Sequence, residues 1–97
     1  MILEAAYLSI RTDADLDSFE ADFKKAAQYI SSIKGYIGHN LQRCVETPNR
    51  YLLLVQWEQL EDHTIGFRQS SAYQQWKALL HHYYDPFPVV EHFVEVI

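Results

Sequence analysis

Tyr36-Ile37-Gly38-His39-Asn40-Leu41-Gln42-Arg43-Cys44-Val45-Glu46, then Thr47-Pro48-Asn49, then Arg50-Tyr51-Leu52-Leu53-Leu54-Val55-Gln56-Trp57-Glu58 is the stretch whose reading decides the fold. Successive side chains of a strand point to opposite faces. In the first segment that places Ile37, His39, Leu41, Arg43 and Val45 on one face, and Tyr36, Gly38, Asn40, Gln42 and Cys44 on the other. Thr47-Pro48-Asn49 is turn chemistry, because Pro48 fixes φ and Asn49 tolerates the left-handed region. Residues 36–58 therefore read as an antiparallel hairpin. In its second strand Tyr51, Leu53, Val55 and Trp57 point one way, and Leu52, Leu54 and Gln56 the other. Both faces are largely apolar, which places this strand at the centre of a sheet, covered on both sides.

Upstream, Ile2 to Ile10 is rich in β-formers and reads as a first strand. Asp13, Asp15 and Asp17 supply cap-type and first-turn anions for a helix. Leu16, Phe19, Phe23, Ala26, Ala27 and Ile30 then recur at steps of three and four, one apolar stripe of that helix. Gly35 can end it in a left-handed conformation. Downstream, Glu61 to Gln69 reads as a short helical turn with His63 and Phe67 on one face. Ser70 or Ser71 can cap a second helix, whose stripe is Tyr73, Trp76, Leu79, Leu80 and Tyr83. Asp85-Pro86-Phe87-Pro88 stops it, and Val89 to Ile97 reads as a last, valine-rich edge strand.

The order is β-α-β-β-α-β, the ferredoxin-like α+β pattern with an antiparallel sheet, as one domain over residues 1–97. Two helices cover only one face of a four-stranded sheet. A homodimer packed sheet on sheet, with the C-terminal strand covered by the partner, would bury the other face. Composition excludes several classes of function. The 97 residues carry 8 Lys+Arg against 13 Asp+Glu, a net charge of −5, so there is no basic stripe for nucleic acid. No apolar run approaches the roughly 20 residues of a membrane-spanning helix. The N-terminus has no signal-peptide pattern, and the single Cys44 suits a reducing compartment, so a cytoplasmic location is expected.

Trp57 ends the third strand, and His63 follows six residues later. Phe67, Tyr73 and Trp76 come from elements expected over the same sheet face. Two readings are open. They converge on an aromatic-walled pocket for a flat aromatic ligand, with His63 moving a proton near neutral pH; or they are core packing with His63 hydrogen-bonded at its edge. Arg68 can bind an anionic group or sit solvated at a helix end. Alternation sends His39 and Asn40 to opposite faces; whichever faces the helices could reach the pocket, and the other reading of His39 is a strand histidine at the dimer face or at solvent. His81 and His82 are adjacent on a helix, about 100° apart, and cannot ligate one metal from the same face. No metal-ligand spacing and no Gly-rich phosphate loop occurs, so neither a metal nor a nucleotide or flavin cofactor is expected.

Leu54-Val55-Gln56-Trp57-Glu58, Glu61-Asp62-His63, Gly66-Phe67-Arg68-Gln69-Ser70, Tyr73-Gln74-Gln75-Trp76 and Pro88-Val89-Val90-Glu91-His92-Phe93 together resemble the antibiotic biosynthesis monooxygenase domain family. The resemblance implies a homodimeric α+β barrel with a pocket between sheet and helices in each subunit. It also implies oxidation of polycyclic phenols or quinols by molecular oxygen, using neither metal nor flavin. The family's strand-end tryptophan matches Trp57, and a polar residue six later matches His63. The family's pocket asparagine, four before that tryptophan, falls on Leu53. A haem-degrading branch uses a first-strand asparagine, a short-helix tryptophan and an axial histidine; here those places hold Glu4-Ala5-Ala6, Gly66-Phe67 and Trp76-Lys77. The expectation is an oxygenase with Trp57 and His63 as catalytic residues, and Phe67, Arg68, Tyr73, Trp76 and His39 around the substrate. A small-molecule-binding or stress-associated dimer, and an isomerase or cyclase on the same scaffold, are the alternatives.

Overall fold

The alternation of residues 50–57 is realised as strand β3 (Arg50–Trp57), inner strand of a four-stranded antiparallel sheet, in a computed structural model that describes residues 1–97. The other strands are β1 (Ile2–Ser9), β2 (Tyr36–Arg43) and β4 (Val90–Phe93), and the sheet order is β2-β3-β1-β4. Helices α1 (Leu16–Ile30) and α2 (Ser71–Leu80) complete the β-α-β-β-α-β, ferredoxin-like fold. Pairing of Ile2 with Trp57, Glu4 with Val55, Ala6 with Leu53 and Leu8 with Tyr51 turns these residues toward the helices. There they meet Phe19, Phe23, Ala26 and Ile30 of α1 and Trp76 and Leu80 of α2 in the core.

The caps follow the sequence. The Asp15 side chain accepts from Ser18 N at 3.2 Å, and Ser70 Oγ accepts from Tyr73 N at 3.1 Å. Between β3 and α2, residues Asp62–Phe67 form a π-helical turn, with Arg68 N donating to His63 O across five residues at 3.2 Å. His63 and Phe67 both point inward from it, on one face as expected.

Four local expectations are corrected. Helix α1 ends at Ile30, with Ser31 as its C-cap, before Gly35; Gly35 takes its positive φ of 89° where the chain turns into β2. Strand β2 stops at Arg43; Cys44 N still donates to Arg50 O at 2.8 Å, and residues 45–49 form the turn, with Asn49 at φ 62°. An extra residue, Ile37, bulges between the pairs Tyr36–Trp57 and Gly38–Gln56. The bulge shifts the alternation by one, so Tyr36 and His39, read as opposite, share the helix-facing side, and the Tyr36 hydroxyl hydrogen-bonds His39 Nδ1. Strand β4 covers only Val90–Phe93, since its partner β1 runs out just beyond Leu3, opposite Phe93.

The second face of the sheet carries Leu3, Ala5, Tyr7, Leu52 and Leu54, and no element of the chain covers it. On this face Tyr7 is 56% exposed and Phe93 50%.

Candidate functional site

Strand β1 sets a carboxyl among apolar side chains. Glu4 is in phase with Ala6 and Leu8, so the pleat turns it into the core, where it is 5% exposed. Its neighbours across the ladder are Val55 on β3 and His92 on β4. The indole of Trp57 donates from Nε1 to Glu4 Oε1 at 2.9 Å. His63, 3% exposed, reaches down from the π-helical turn with Nε2 3.4 Å from the same oxygen. Its other nitrogen, Nδ1, is 2.8 Å from His92 Nε2. The His63 ring lies over the Trp57 indole, with centroids 5.5 Å apart and planes at 23°.

Above this carboxyl–imidazole row lies a cavity of about 300 Å³, and ten of its fifteen lining residues are hydrophobic. Glu4, Ala6 and Leu8 of β1 and Leu53 of β3 form its floor. Phe67, Tyr73 and Trp76 wall one side, with the Phe67 ring meeting Tyr73 and Trp76 edge to face at 5.2 and 5.7 Å. Tyr84, Phe87 and Pro88, from the segment after α2, close another side. Such a volume is at the low end for a small-molecule pocket and suits one compact aromatic.

Burial governs the electrostatics. It raises the Glu4 pKa above the usual carboxylate value, against the lowering effects of the Trp57 N–H and of the Arg68 charge. Burial also lowers His63 to about 3, helped by Arg68 and His92, and lowers His92, helped by Arg68. Both shifts favour the uncharged forms, and with His63 lowered to about 3 its imidazole is neutral near pH 7, so the Glu4–His63 contact is not an imidazolium–carboxylate ion pair. Arg68 lines the cavity and makes no ion pair of its own, which leaves its guanidinium available to an anion there.

The structure gathers His63, Phe67, Arg68, Tyr73 and Trp76 around one cavity. Trp57 stands behind that wall; it is fully buried, stacked on His63 and bonded to Glu4. His39 lies elsewhere, in a shallow groove with Glu20 and Lys24, because Phe23 stands between it and Trp76. Glu4 and His92 are the site residues that the motif reading passed over. Each is a polar residue in phase with the inward positions of an apolar strand, Glu4 with Ala6 and Leu8 and His92 with Val90, and that phase was the available signal.

Comparison with known proteins places this geometry in a family. YczJ, an uncharacterized protein of Bacillus subtilis (strain 168), is 57% identical over 96 residues, covering 99% of this chain and all of YczJ. The structure of a Bordetella bronchiseptica protein provisionally assigned as an antibiotic biosynthesis monooxygenase is 32% identical, with a TM-score of 0.92 over 99% of this chain and 97% of that one. SnoaB, a cofactor-independent oxygenase from Streptomyces nogalater, has the same fold at 14% identity, with a TM-score of 0.85 over 99% of this chain and 93% of that one. The family model for antibiotic biosynthesis monooxygenases matches residues 1–79. With most of its length matched by that model, the chain belongs to the antibiotic biosynthesis monooxygenase family.

Proposed function

We propose that this protein is a monooxygenase that oxidises a small phenolic or quinol compound with molecular oxygen, the substrate itself supplying the electrons. The observation that carries this reading is the apolar, aromatic-walled cavity with a neutral imidazole, His63, on its wall and one free guanidinium, Arg68, beside it. A phenol or quinol enters uncharged and is deprotonated in the pocket. Its electron-rich anion then passes an electron to oxygen; for an anthrone the net change is a methylene becoming a carbonyl, with the second oxygen atom leaving as water. An unpaired anion is costly in such surroundings, and Leu53, where the family's pocket asparagine falls, offers it no hydrogen bond. Arg68 and His63 are therefore the groups that hold it. The cofactor-independent oxygenase SnoaB has the same fold, which supports the reaction class.

The working unit is proposed to be a homodimer joined through the uncovered sheet face and the C-terminal strand, located in the cytoplasm. That face is half apolar, and Val94, Val96 and Ile97 are exposed beyond β4. No helix is long and apolar enough to cross a membrane.

Oxygen consumption by metal-free protein with a panel of anthrones, hydroquinones and naphthols tests the activity, with His63→Ala run alongside. Protein-dependent uptake that falls by roughly 10²-fold or more in the variant is expected for loss of a proton-transfer group. Uptake unchanged in the variant removes His63 from the mechanism. Absence of uptake across the panel overturns the oxygenase reading in favour of ligand binding without turnover.

A further inference from the structure

We propose that Glu4 is the acid–base group of the cavity, and that His63 and His92 relay its proton to the edge of the sheet. The inference rests on reading the cavity as a site of proton abstraction, and it assigns the abstraction to a carboxyl that the motif reading left out. A buried carboxyl with no ion-pair partner is unfavourable for stability, and an apolar side chain would continue the inward row of Ala6 and Leu8. Glu4 is nevertheless there, and its two oxygens have different surroundings. Oε1 accepts from Trp57 and faces His63. Oε2 makes no hydrogen bond within the protein, yet no fully buried side-chain oxygen or nitrogen lacks a partner. Oε2 is therefore accessible, and the cavity that Glu4 lines is where it meets a ligand.

The contacts leading away from Glu4 form one line across three elements: Glu4 on β1, His63 on the π-helical turn and His92 on edge strand β4. Two proton arrangements satisfy that line. With Glu4 ionised, His63 donates from Nε2 toward Oε1, and its Nδ1 accepts from His92 Nε2. With Glu4 protonated, the carboxyl donates to His63 Nε2, His63 Nδ1 donates to His92 Nε2, and the proton of His92 sits on its far nitrogen. The arrangements differ by one proton; the His63 Nδ1–His92 Nε2 link is a hydrogen bond of 2.8 Å, while His63 Nε2 lies 3.4 Å from Glu4 Oε1 and must close on it for the transfer to occur. In the reaction the Glu4 proton first passes to His63 Nε2 while the Nδ1 proton of His63 passes to His92 Nε2 and the far-nitrogen proton of His92 leaves for solvent, which gives the ionised arrangement. The substrate O–H bond then breaks, its electron pair stays on the substrate oxygen, and its proton bonds to the free Oε2 of the Glu4 carboxylate. Arg68 is the cation facing this line, and Tyr73, His81 and Tyr84 are the other titratable groups on the cavity wall.

The test has two arms. In ligand-free protein, ¹⁵N spectra of the imidazoles are followed from about pH 4 to about pH 9, in wild type and in Glu4→Gln. Expected in wild type is a single step in which His63 and His92 exchange their protonated nitrogens together; in Glu4→Gln that step is absent. Ring signals that shift independently, or that shift alike in both proteins, overturn the relay. Should Glu4→Gln not fold, His92→Gln, which keeps a hydrogen-bonding group beside His63 and cannot pass a proton, is expected to remove the coupled step from His63.

In the second arm, oxygen uptake is measured against pH. Glu4→Gln is expected to lower kcat/KM by roughly 10²- to 10⁴-fold and to erase the rise of the profile with pH, while Glu4→Asp retains that rise. Wild-type activity with an equally active Glu4→Gln overturns the role of Glu4 and leaves the oxygenase reading intact. A coupled imidazole step without any oxygen uptake supports the relay and overturns the oxygenase reading instead.

Discussion

His63 shows how one residue ties stability to the site. Its imidazole is buried against Trp57 with Nε2 toward Glu4 and Nδ1 toward His92, and its pKa is lowered to about 3, chiefly by burial. In the unfolded chain the same ring titrates near 6.5. Between those values the unfolded state binds the extra proton, so stability is fully present above about pH 6.5 and falls as the pH is lowered toward 3. His39, His81 and His92 are lowered in the same direction, and raised Glu4 acts with the opposite sign. Urea unfolding between about pH 4 and pH 6 is therefore expected to give a positive slope of stability with pH. His63→Gln should reduce that slope by up to about 1.4 kcal/mol per pH unit, the value for one proton. An unchanged slope would mean that His63 is ionised in the folded protein. His63 was legible in the sequence from its spacing to Trp57 and Phe67. Glu4 was not, because one carboxylate in an apolar strand carries no motif, and only the phase set by pairing with β3 and β4 reveals that it points inward.

The π-helical turn at Asp62–Phe67 is the element that delivers His63 and Phe67 to the cavity, and a single glycine holds its near end. Gly35 has φ 89°, and its carbonyl accepts from Glu58 N at 2.8 Å, joining the entry of β2 to the exit of β3. A Cβ at Gly35 would collide with the carboxylate of Asp62. That carboxylate accepts from Gln59 N at 3.1 Å and so begins the turn that carries His63. Gly35→Ala combines the strain of a left-handed alanine with displacement of Asp62, and it is expected to lower stability by roughly 1–3 kcal/mol. Thermal unfolding checks the cost; a midpoint equal to wild type would show that the turn does not depend on this contact. Element order, caps and the one-sided placement of His63 and Phe67 were readable from periodicity and turn chemistry. The Ile37 bulge and the short β4 were not, since the bulge is set by the pairing register of β2 against β3 and the length of β4 by how far its ladder with β1 runs.

At the scale of the molecule, the two faces of the sheet are used differently. The helix-facing side buries Tyr51, Leu53, Val55 and Trp57 at 4% exposure or less, while the opposite side leaves Tyr7 and Phe93 at least half exposed. The outward row is mixed: Leu52 and Leu54 share it with Gln56, Asn40 and Gln42. A surface of this composition is typical of an interface rather than of a core. Edge strand β4 also presents unpaired backbone groups beside the exposed Val94 and Val96, an invitation to pairing unless a partner covers them. A twofold contact between two such faces would bury both features at once. Light scattering is therefore expected to give about twice the chain mass of 11.4 kDa at micromolar concentration. Leu54 lies mid-face, opposite Ala5 and Asn40. Leu54→Arg would set two like charges against each other in a symmetric contact, and it is expected to give the single-chain mass with the same far-ultraviolet circular dichroism, because no helix packs on that side. A wild-type protein that scatters as one chain would overturn the dimer and leave the cavity, which one chain builds by itself, as the whole of the working unit.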